Sequence, residues 1–74
     1  MAVYHVIVKG FTGDNRIFDR ADEWVAQNRS MAFSYARKMI QSVRSMGLPP
    51  SLVEVREIGY QWNERIPLRE IMEL

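Results

Sequence analysis

The stretch Trp24-Val-Ala-Gln-Asn-Arg-Ser-Met-Ala-Phe-Ser-Tyr-Ala36 decides the fold, because the spacing of its apolar residues changes at Asn28. Glu23 to Asn28 reads as a short extended run whose pleat places Trp24 and Ala26 on one side. Beyond it the apolar residues recur at helical intervals. Projecting residues 29 to 46 at about 100° per residue gathers Ala32, Ala36, Met39, Val43 and Met46 on one stripe, flanked by Phe33, Tyr35 and Ile40. A strand therefore feeds an amphipathic helix. Asn28 or Ser30 supplies the side-chain oxygen that accepts from an orphan N–H of the first turn. Gly47 lies just past the last periodic residue, and Pro49-Pro50 cannot continue the helix. Ala32 and Ala36 are small where the helix should approach the sheet most closely, leaving volume for the Trp24 indole to fill.

Working outward, Ala2 to Lys9 is rich in β-branched and aromatic residues and runs into the turn formers Gly10-Phe-Thr-Gly-Asp-Asn15. It reads as strand one, with Tyr4, Val6 and Val8 on one face and Val3, His5, Ile7 and Lys9 on the other. Apolar residues on both faces mark it as a central strand. Arg16 to Asp22 admits strand or loop, since Ile17 and Phe18 are apolar but Asp19, Arg20 and Asp22 surround them. Ser51 to Ile58 alternates as a third strand, with Val53 and Val55 inward and Glu54, Arg56 and Ile58 outward, and Gly59 marks a turn or bulge. The tail is read as an edge strand over Ile66 to Glu70; the alternative is a last short helix opened by Pro67 and running to Leu74. The predicted fold class is α+β: a small antiparallel sheet of three to four strands in the order β-β-α-β, with one amphipathic helix packed on one face. A right-handed crossover gives the spatial order two, one, three.

A chain of 74 residues buries only about 60–65% of the surface it exposes when unfolded, so residues 1–74 are read as a single domain with one core. With no cysteine, neither a disulfide framework nor a thiolate zinc site can staple it, and packing or self-association must do so. A composition of 47% hydrophobic and 26% charged residues belongs to ordinary globular proteins and not to disordered ones. No run approaches the roughly 18 apolar residues of a membrane span, and Met1-Ala-Val-Tyr-His lacks the pattern of a signal peptide, so a cytoplasmic protein is expected. The formal net charge of +1 is unevenly spread. Residues 24 to 53 carry Arg29, Arg37, Lys38 and Arg44 with no acid, whereas residues 54 to 74 carry an excess of Glu over Arg.

Catalysis fails on inventory. His5 is the single histidine and has no orienting carboxylate beside it in the sequence pattern, so it reads as a half-exposed strand residue. Gly10 and Gly13 form a hairpin loop and not a phosphate cradle, being too few and too far from a helix N-terminus. Asp19, Asp22 and Glu23 lack calcium-loop spacing, and Glu54 and Glu57 point to opposite faces of their strand. Neither an enzyme nor a metal or other cofactor is expected.

Two binding surfaces remain. The first is the sheet face away from the helix, which gathers Val3, His5, Ile7 and Lys9, Val25 from strand two, and Arg56 and Ile58 from strand three around an expected apolar centre. One helix cannot cover two faces, so such a patch points to a protein partner. The alternative is that the C-terminal segment folds back over it, burying Trp62, Ile66, Leu68, Ile71 and Met72. The second surface is the polar side of the helix, where Arg37, Lys38 and Arg44 suit phosphate contacts of a nucleic acid. Three cations are few for a duplex binder. The preponderance of Arg over Lys agrees with an interface role.

The run Trp24 to Ala36 and the element order resemble the strand-to-helix junction of very small phage and mobile-element proteins, among them anti-CRISPR inhibitors. The resemblance covers the junction alone and carries over no functional residue. It implies a domain that works by occluding another macromolecule's surface. The expected function is thus a protein–protein interaction module of the inhibitor type, with a nucleic-acid-binding accessory protein as the alternative; an open sheet also admits a homodimer.

Overall fold

The structure, a computed structural model, describes residues 1–73. Its elements are β1 (Ala2–Phe11), β2 (Ile17–Ala26), α1 (Arg29–Ser45), β3 (Pro50–Glu57), β4 (Asn63–Pro67) and α2 (Leu68–Glu73). The strands form one antiparallel sheet in the order β2-β1-β3-β4. The α+β class and the central place of β1 are as read from the sequence. Both helices lie on one side of the sheet, α1 across β1, β2 and β3, and α2 beside α1 over β3 and β4.

Alternation along the strands builds the core. Tyr4, Val6 and Val8 of β1 and Val53 and Val55 of β3 turn toward α1 and are buried, meeting Ala32, Ala36, Ile40 and Val43 of the helix. The two alanines are fully buried, which is what close approach of helix and sheet requires. Trp24 sits half-buried at their flank, its ring stacked on Tyr35 at 4.6 Å and its Nε1–H directed at the Met39 sulfur at 3.2 Å. Asn28, and not Ser30, caps α1: its Oδ1 accepts from the Met31 N–H at 2.9 Å. At the other end Gly47 takes φ 82°, its N–H reaches the Arg44 carbonyl at 2.9 Å, and the Leu48 N–H reaches the Val43 carbonyl at 3.3 Å. That pair of bonds is the Schellman arrangement, with Leu48 returning to the core beside the last turn. The predicted apolar stripe stops one turn early. Met46 is exposed because the helical backbone ends at Ser45, and its sulfur meets Arg20 Nη2 at 3.6 Å instead of the core.

Three departures come from pairing. The undecided segment from Arg16 to Asp22 is strand from Ile17 onward, because every residue from Ile17 to Ala26 has a partner on β1. β1 runs two residues past Lys9, through a Gly10 where a Cβ would meet the Pro49 carbonyl oxygen and the Phe18 ring, and the β1–β3 register shifts at this point. The tail realises both of its readings in succession. The edge strand predicted at Ile66 to Glu70 is found at Asn63–Pro67, and a helix follows at Leu68–Glu73; Leu74, where that helix was expected to end, lies outside the described residues. Ile66 pairs with Val53 and is buried, and Pro67, with no N–H to extend the ladder, closes the strand. A six-residue helix is unstable alone, but burying Ile71 completely is worth about 1.5–3 kcal/mol and holds it against the core.

Candidate functional site

The face opposite the helices is where the sequence-predicted binding residues collect. The ladder sets them in rows across the sheet. Val25 pairs with Val3, whose carbonyl accepts from the Ile58 N–H at 2.8 Å; Glu23, His5, Arg56 and Asn63 form the next row. Ala21, Ile7, Glu54 and Arg65 follow, then Asp19, Lys9, Leu52 and Pro67, and the hairpin end carries Ile17 beside Phe11. All seven residues proposed from the sequence, Val3, His5, Ile7, Lys9, Val25, Arg56 and Ile58, therefore share one face. Val3, Val25, Arg56 and Ile58 are exposed; His5, Ile7 and Lys9 are half-buried by their neighbours in the sheet.

The C-terminal segment does not cover this face. Ile66 and Ile71 are buried and Trp62, Leu68 and Met72 half-buried, but all pack into the core on the helix side. Parity decides this, since Ile66 pairs with Val53, whose side chain already points at α1. The expected apolar centre is also corrected. Around Ile7 the surface is charged: Lys9 Nζ and Arg65 Nε approach Glu54 Oε1 at 3.3 and 3.5 Å. Apolar side chains gather at the two ends instead. Val3, Val25 and Ile58, with Met1 and Tyr60, line a shallow depression of about 320 Å³ at one end. Phe11, Ile17 and Leu52 line a smaller one of about 180 Å³ at the other. Phe11 is 53% and Ile17 73% exposed. Sequence reading missed these three. Phe11 follows from carrying the odd-numbered face of β1 past Gly10, and Leu52 from the outward parity of Glu54 and Arg56. Ile17 follows from carrying the face of Val25 back along β2, a step closed to the sequence reading because Arg16 to Asp22 admitted strand or loop.

A second cluster, on the helix side, ties the β3–β4 connection to the start of α1. Glu57 is buried next to Tyr4 and receives Arg29 Nε at 3.2 Å; the same guanidinium lies 4.4 Å from the centre of the Trp62 ring. Trp62 in turn presents edge contacts to Tyr4 and Phe33 at 6.1 and 5.9 Å. Burial, with the Glu57 carboxylate next to it, raises the Tyr4 phenol above its ordinary range. In the hairpin loop, the hydrogen bond from the Thr12 hydroxyl lowers the Asp14 carboxyl below its own. Both clusters are closed on themselves, and each has a structural role.

The basic residues of α1 are distributed unevenly. Arg37 donates from Nη2 to Ser34 Oγ at 3.0 Å, Lys38 Nζ stands 5.6 Å over Tyr35, and Arg44 is exposed. Lys38 also borders a groove of about 490 Å³ between α1 and β2, whose other wall carries Arg20 and Asp22. Among the described residues no three His, Asp or Glu side chains converge on a point, and no helix is long and apolar enough to cross a membrane. Compared with protein-family models, curated protein sequences and solved structures, the chain shows no match.

Proposed function

We propose that this chain is a protein–protein interaction module that binds through the helix-free face of its sheet, and that it acts as an inhibitor by occluding the surface of a macromolecular partner in a reducing, cytoplasmic setting. The observation that carries the reading is that both helices and the C-terminal segment pack on one side, leaving Val3, Phe11, Ile17, Val25 and Ile58 exposed on the other. Apolar ends separated by a charged band form a surface that a protein can match in shape and register. Two edge strands flank it, and the charges Asp19, Arg20, Asp22 and Glu23 along β2 discourage pairing at that edge. The face is thus the contact in preference to the β2 edge. The absence of cysteine fits a reducing compartment.

Ile7→Asp combined with Ile58→Asp tests the reading. Circular dichroism should show an unchanged fold, because neither side chain belongs to the core. The proteins retained from a lysate by the immobilised wild-type chain should be lost by the variant; retention of the same proteins by both forms would refute the assignment of the face. The alternative, a nucleic-acid-binding accessory protein using Arg37, Lys38 and Arg44, draws its support from the absence of any acidic residue in α1.

A further inference from the structure

We propose that the occupant of this face is a second copy of the chain, paired face to face about a two-fold axis that runs along the strands. The inference rests on the reading of the face as a protein-binding surface and names the protein it binds. Its ground is the layout of charge. Lys9 and Glu54 pair within the chain in the middle of the face. What remains is divided by strand: Asp19 and Glu23 lie on β2 and Arg56 on β3, while Arg65 on β4 is a second cation on Glu54 and leaves that group with a net positive charge. Among the described residues, Asp19, Glu23 and Arg56 make no ion pair, although Lys9 and His5 lie beside the two acids in their rows. One margin of the face is acidic and the other basic.

The two-fold axis that relates two copies stacked face to face lies in the plane between them, and for aligned packing of the strands it runs either across the strands or along them. An axis across the strands keeps each strand opposite its own copy, which sets Asp19 and Glu23 against their counterparts and Arg65 against Arg65. That arrangement is repulsive. An axis along the strands, between β1 and β3, exchanges β2 with β4 and β1 with β3 and leaves each row at its own level. Arg65 of one copy then lies over Ala21 of the other, a small residue flanked along β2 by Asp19 and Glu23, and the contact occurs twice by symmetry. At one apolar end the same operation lays Val3 over Ile58; at the other it lays Leu52 over the Lys9 stem, with Phe11 and Ile17 one row beyond. His5 lies across from Arg56, an imidazole against a guanidinium plane, and Ile7 over the neutralised Lys9–Glu54 pair. The relative rotation of aligned packed sheets, about 30°, shifts these contacts by less than a row near the axis. A foreign partner competes with the second copy for the face, and the monomer–dimer balance sets how much of it is free.

A charge exchange tests this on the full chain by sedimentation equilibrium across micromolar concentrations. The wild type should be a dimer. Asp19→Lys with Glu23→Lys makes both margins basic, and Arg56→Glu with Arg65→Glu makes both acidic, so each variant alone should dissociate with a constant raised at least about tenfold. Mixed in equal amounts, the two variants should re-form a dimer, because each basic margin then meets an acidic one at both contacts. Circular dichroism checks each fold, and Asp19→Asn with Glu23→Gln replaces the lysine pair if that pair unfolds; it too should weaken the dimer. A monomeric wild type overturns the dimer, as does a mixture no more associated than its components. Either result leaves the retention experiment with Ile7→Asp and Ile58→Asp to judge the binding face separately.

Discussion

At Gly10 one hydrogen atom decides whether two strands and a loop can meet. A Cβ there would press on the Pro49 carbonyl oxygen, which is backbone and cannot swing away, and on the Phe18 ring. Gly10→Ala should therefore cost about 1–3 kcal/mol, as overpacking of a filled interior does. Chemical denaturation would show a lower midpoint with an unchanged slope; a midpoint equal to the wild type's would mean that Pro49 moves freely. The requirement was invisible in the chain, where Gly10 is one turn former among several and the proline that confronts it comes from the far side of α1. His5 was legible by contrast. Its place on the odd-numbered face of β1 follows from two-residue alternation, and the structure puts it between Glu23 and Arg56 on that face.

Elements were legible in proportion to how far their own residues specify them. α1 carries its start, stripe and stop in consecutive residues, so Gly47 ends it as read and Asn28, one of the two caps the sequence offered, begins it. Removing the cap with Asn28→Ala should destabilise the protein by about 1 kcal/mol, whereas Asn28→Asp, which keeps an acceptor for the Met31 N–H, should stay close to wild type. Thermal or denaturant unfolding separates the two; equal loss from both would mean that the Asn28 Oδ1 bond contributes nothing. β2 is the opposite case. Its Ile17–Ala26 span has only Phe18, Trp24 and Ala26 buried or half-buried and takes its length from β1, with which it pairs throughout. The tail is intermediate: strand and helix signals overlapped around Pro67, and a buried Ile66 followed by a buried Ile71 resolved them in succession.

For the whole molecule the decisive quantity is which surface is left over. The uncovered face is the ground for proposing a protein partner, and the opposite side offers a polyanion few cations, with Asp22 beside Arg20 across the groove from Lys38. Binding to duplex DNA should accordingly be weak at low salt. Were Arg37, Lys38 and Arg44 to engage phosphates, a salt titration would give a log–log slope of about −0.9 for each contact. A slope near −3, abolished by replacing the three cations, would restore the nucleic-acid reading. The periodicities of the chain by themselves determined the α+β class, the faces of β1 and β3, and the bounds of α1, because each depends on residues within a turn or a pleat of one another. The length of β2, the need for Gly10 and the side on which the tail packs were decided only by the tertiary structure. Each depends on how strands pair or meet across the sheet, and shifting a strand register by one residue exchanges every inward side chain for an outward one.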